Sequence, residues 1–80
     1  MKLTVIKPIF AESASLLVNH ASRYTGKILI KKDHWVIDAK SLLGLLALSL
    51  QPGQVVEFDF DGEQDDEFID ALIEAGLFEK

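Results

Sequence analysis

Eighty residues, 49% of them hydrophobic and 26% charged, describe one folded domain with a modest core. A chain this short buries only about 60% of its unfolded surface, which leaves little room for a deep enzyme cleft. Thirteen acidic against eight basic residues give a net charge of −5, the wrong sign for neutralising nucleic-acid phosphates, and with no cysteine the fold has neither disulfides nor thiolate metal sites, which suits a reducing compartment.

Met1 to Ile6 alternates, with Leu3 and Val5 on one face, and predicts a strand that stops before Pro8. From Ser13 the period changes: Ala14, Leu17, Val18 and Ala21 fall at i, i+3, i+4 and i+7, an amphipathic helix with Ser13 as its cap. Beyond Gly26, Lys27 to Lys31 alternates around Ile28 and Ile30; Lys32-Asp33 reads as a turn, and His34 to Asp38 returns with Trp35 and Ile37 on one side, completing a hairpin. Ser41 opens a short helix to about Leu48. After the turn Gln51-Pro52-Gly53, Val56, Phe58 and Phe60 alternate with Glu57, Asp59 and Asp61, the clearest strand of the chain, closed by Asp61-Gly62. Phe68, Ile69, Leu72 and Ile73 then form a last helical stripe before Gly76, and the acidic run Glu63 to Glu67 suits the positive end of that helix.

Strands with one apolar face and helices with one apolar stripe are buried together most economically in two layers. The expected fold is therefore α+β, an open-faced β-sandwich in which a four-stranded antiparallel sheet carries three helices on one face, built from residues 1–80 as a single domain. The longest apolar run, Leu42 to Leu48, is interrupted by Gly44 and falls well short of the roughly 20 residues that span a bilayer. Lys2 and Lys7 precede no apolar h-region, so the reading is a cytoplasmic domain with no membrane or nucleic-acid partner.

The segment Asp38-Ala39-Lys40-Ser41-Leu42-Leu43-Gly44-Leu45-Leu46-Ala47-Leu48 resembles the region around the regulatory serine of HPr proteins, the small phosphocarriers of the bacterial sugar phosphotransferase system. Ser15-Leu16-Leu17-Val18 and Ala21-Ser22-Arg23-Tyr24 resemble the family's first helix, and the likeness runs over essentially the whole chain without gaps. The family's phosphorylated histidine lies in Gly-hydrophobic-His-X-Arg-Pro. Here the matching stretch is Pro8-Ile9-Phe10-Ala11-Glu12-Ser13, with Phe10 at the histidine position and Glu12 at the arginine position. A phenyl ring has no nucleophilic lone pair, and a carboxylate repels phosphate where a guanidinium would hold it. The resemblance therefore implies no enzyme and no histidine carrier but a regulatory, serine-bearing variant of the Crh type. Its implied partners are proteins, among them an HPr-type serine kinase and a transcriptional regulator.

On that resemblance Ser41 is the expected phosphorylation site, at a helix N-terminus where amides and dipole favour a phosphate, with Lys40 adding positive charge. Helical capping alone is the competing role for Ser41. Leu45, Leu48 and Leu50 are the expected core positions. That leaves Leu42, Leu43 and Leu46 as an exposed patch, extended by Phe10 and Leu16, for docking a partner. Two rival readings stand beside this one: phosphoryl transfer through a substitute such as Glu12, Ser13 or His20, and a structural module that self-associates as a homodimer. His34 reads as an ordinary surface histidine, and Glu57, Asp59 and Asp61 as a solvated face balanced by Lys27 and Lys31. No metal or cofactor is expected.

Overall fold

Cross-strand partners share a face of a sheet, so the register of this chain sorts its side chains into two layers. The computed structural model describes residues 1–80. Strands β1 (Lys2–Val5), β2 (Ile28–Lys32), β3 (Trp35–Asp38), β4 (Val55–Phe60) and β5 (Phe78–Glu79) pair in the order β3-β2-β4-β1-β5, antiparallel throughout. The partners Leu3–Val56, Val5–Phe78, Ile30–Phe58 and Ile30–Ile37 line the inner face, and Lys2–Glu57, Lys31–Glu57 and Lys31–Val36 the outer. The helices α1 (Glu12–Ala21), α2 (Leu42–Leu48) and α3 (Asp66–Glu74) bury Ala14, Leu17, Ala21, Leu45, Leu48, Phe68, Ile69 and Leu72 in the same core.

The architecture is the expected α+β open-faced sandwich with one correction: the sheet has five strands, not four. After Gly76 leaves α3 in the left-handed region at φ 75°, Leu77 and Phe78 turn back along the free edge of β1, where the Ile6 amide donates to the Leu77 carbonyl at 2.8 Å. The hairpin turn is also displaced by one residue, to Asp33-His34, with Asp33 taking the positive φ of 54°. Leu45, Leu48 and Leu50 are core residues, as their spacing implies. Phe58 sits at the centre of the packing, edge-to-face with Phe68 at 5.8 Å and Phe78 at 5.4 Å.

The outer face carries the chain's single ion pair, Lys31 Nζ to Asp59 Oδ2 at 3.0 Å. The hydrogen bond and the charge of Asp59 raise the Lys31 pKa above the ordinary lysine value. Glu57, Asp59 and Asp61 are all solvent-exposed. No helix is long and apolar enough to cross a membrane.

Candidate functional site

The loop that leads into α1 is locked by a side chain expected to do something else. Ser13 does not cap the helix: α1 begins at Glu12, its N-cap is Ala11, and Ala11 makes no side-chain capping bond. The Ser13 hydroxyl instead turns back to accept from the Phe10 amide at 3.0 Å, and its own proton lies between the carbonyls of Pro8 at 2.8 Å and Phe10 at 3.0 Å. This knot holds Ala11 at φ 51° and ψ −112°, a conformation a Cβ-bearing residue keeps only when its surroundings impose it. Directly before it, the Phe10 ring stands 60% exposed.

Phe10 and Leu16 line one cleft of about 510 Å³ together with Lys7, Glu12, Ser13 and Leu77. Local pattern reading missed Lys7, which precedes Pro8 in the same loop, and also Ala75 and Leu77, which reach this cleft only through the docking of the α3 C-terminal turn beside that loop. Lys7 Nζ lies 3.6 Å from the space a side chain on Gly76 would fill, at the negative end of α3 where a cation is favoured. Lys7 and Glu12 are the only charged residues of the cleft. His20 does not line it; that residue lies further along α1, beside Arg23, Asp65 and Glu67.

The second predicted region divides. Ser41 is the N-cap of α2, its hydroxyl accepting from the Gly44 amide at 3.1 Å. Leu43 is 80% and Leu42 39% exposed, whereas Leu46 is half-buried and packed against the core, contrary to its expected place in the patch. With Leu45 and Leu48 turned inward, the rotation of an α-helix brings Leu46 to the flank of the stripe and not to its back. None of the α2 leucines lines the Phe10 cleft, although α2 packs against α1.

Lys40 is the other correction. Its ammonium is committed to the carbonyls of Tyr24 at 2.7 Å and Gly26 at 2.9 Å, in the connection between α1 and β2. It anchors that turn and is not a free side chain of the surface patch. Lys40→Met should cost about 1.5–3 kcal/mol, the range for charge-assisted hydrogen bonds lost from a partly buried site. A denaturant midpoint unchanged from wild type would contradict this anchoring role.

The molecule is a two-layer antiparallel sandwich whose candidate site lies on the loop before the first helix, and no histidine lines that site. The sequence profile described as PTS HPr component phosphorylation site matches residues 4–76, and the chain belongs to the HPr family. It is 36% identical over 63 residues to the HPr-like protein Crh of Halalkalibacterium halodurans, spanning 79% of this chain and 75% of that one. Phosphocarrier protein HPr of Bacillus anthracis superposes with a TM-score of 0.78 at 28% identity, over 90% of this chain and 88% of that one. Crh of Bacillus subtilis, solved as a dimer with a swapping domain, does so with 0.67 at 30% identity, over 88% and 78%. Members of this family are phosphocarrier or regulatory proteins and not enzymes.

Proposed function

We propose that this chain is a regulatory docking domain of the HPr family that carries no phosphate on histidine and is switched by phosphorylation of Ser41 in the control of sugar uptake or carbon use. The observation that carries the reading is Phe10, 60% exposed in an open cleft at the position where the family resemblance puts its nucleophile. A hydrocarbon ring held in water by a hydrogen-bonded loop is unfavourable for the isolated domain, and it becomes favourable when a partner covers it.

The partner face comprises Phe10 and Leu16 at the cleft and Leu42 and Leu43 at the start of α2; Leu46 and Lys40 drop out because the core and the α1–β2 turn hold them. Ser41 lies between the core-held Ala39 and this exposed pair. A phosphate there would keep an oxygen for the Gly44 amide and add about −2 charge beside the docking leucines. A substitute carrier at Ser13 is disfavoured by its hydroxyl being tied to the loop carbonyls.

Incubation with an HPr-type serine kinase and ATP, followed by peptide mapping, is expected to place one phosphate on Ser41 and none on a Ser41→Ala chain. An unmodified Ser41 removes the switch. Docking is tested separately with partners captured on the wild-type chain and on Ser41→Asp. Leu43→Asp should weaken the recovered interaction about 10-fold or more, the equivalent of losing one buried leucine, and an undiminished affinity rejects the face.

A further inference from the structure

The two edges of the sheet are treated very differently. β5 forms one side with only two residues, the buried Phe78 and the exposed, charged Glu79. On the other side β3 runs in unbroken register with β2, Lys32–Trp35 through Leu29–Asp38. It has no bulge, no proline and no lysine, the usual devices that keep an edge from pairing. Its exposed side chains are apolar: Trp35 is 63% and Val36 55% exposed.

Which backbone groups face outward follows from one bond. The Ala39 amide donates to the Ile28 carbonyl at 2.8 Å, so in an antiparallel ladder the groups of Ala39, Ile37 and Trp35 point toward β2, and those of Val36 and Asp38 point away. The Asp38 carbonyl already accepts from the Ser41 amide. The Val36 N–H and C=O and the Asp38 N–H are left directed outward from the sheet.

We propose that β3 is a homodimer edge: two copies of this chain pair β3 to β3 antiparallel about a two-fold axis at Val36, joining two sheets into one continuous ten-stranded sheet. That register satisfies three independent conditions. Val36 meets Val36 of the second copy, so each donates its amide to the other's carbonyl, while each Asp38 amide meets a carbonyl of His34. On the outer face the row Lys2, Glu57, Lys31, Val36 alternates in charge and ends on an apolar residue, which then lies against its own copy. On the inner face the row Phe58, Ile30, Ile37 continues onto Trp35 of the second copy and covers an exposed indole. The same register sets His34 against Asp38, a complementary pair at each end of the junction; one Asp38 oxygen is held by the Lys40 amide and the other is free. A shift by one residue would set inner-face side chains against outer-face ones.

The contact is small and the dimer correspondingly concentration-dependent. Sedimentation of the full chain from about 10 μM to about 1 mM, the span of weak to moderate association, should move the mass from 8.9 kDa toward twice that value. Val36→Lys, which places two like charges at the axis beside Lys31, should remain monomeric at every concentration while circular dichroism shows the fold retained. In the wild type, hydrogen exchange at high concentration should protect the Val36 and Asp38 amides and leave Trp35 and Ile37, already bonded to β2, unchanged. This alternation decides the matter even if the variant misfolds. A wild type monomeric throughout, a dimer that Val36→Lys does not weaken, or a dimer without protection at Val36 and Asp38 overturns the proposal.

Discussion

Phe58→Ala should remove most of the stability of this domain. Phe58 lies on the strand between β2 and β1, is 1% exposed, and its ring is the meeting point of α3 through Phe68 and of β5 through Phe78. Truncating a buried phenylalanine costs about 3–5 kcal/mol, against about 4–12 kcal/mol for a whole domain at the usual stability per residue. The expected drop in Tm by calorimetry is about 15 °C or more. Trp35→Ala is the control: as large an aromatic, but 63% exposed in the monomer, so at low concentration it should change stability by no more than about 0.5 kcal/mol. Equal losses in the two variants would mean that the core is not where the structure puts it.

Two substitutions at the α1 loop should convert the cleft into a phosphate acceptor. The native chain, mixed with phosphoenolpyruvate and the general phosphotransferase enzyme, should acquire no acid-labile phosphate, because the Phe10 ring has no lone pair to attack with. Phe10→His supplies the nucleophile but leaves the Glu12 carboxylate in the same cleft. Like charges about 4 Å apart in a water-rich setting repel by about 1 kcal/mol. Replacing the anion with a cation reverses that sign, so Phe10→His with Glu12→Arg should be phosphorylated about 30-fold more readily than Phe10→His alone, the equivalent of about 2 kcal/mol. Equal labelling of the single and double variants would show that Glu12 is electrostatically irrelevant to the site; labelling of the native chain would remove the proposed loss of the carrier role.

How legible this was from the residues varies by scale. Strand β4 announces itself through Val56, Phe58 and Phe60 alternating with acids, and α3 through Phe68, Ile69 and Leu72, because a side-chain period of 2 or 3.6 is a property of the local backbone. Ser41 was readable as a cap for the same reason: its partner, the Gly44 amide, is three residues away. Strand β5 was not. Two residues carry no period, and Phe78 is extended because the edge of β1, more than 70 positions earlier, has hydrogen-bonding groups to satisfy. The fate of Lys40 was hidden likewise, since the carbonyls it binds belong to Tyr24 and Gly26 on a different element.

The order of residues by itself determined the apolar faces, every element except β5 and the absence of an imidazole at position 10, which depend on neighbours within a few positions, and also the family, whose pattern runs along the whole chain. The folded chain alone decided that Lys7, Phe10, Leu16 and Leu77 share one cleft, that Leu46 and Lys40 are withdrawn from the surface patch, and that β3 is left with its Val36 amide facing outward. The physical reason is common to all three. Which groups remain unpaired or uncovered depends on which distant segments become neighbours, and that is set by the closing of the whole sheet and core.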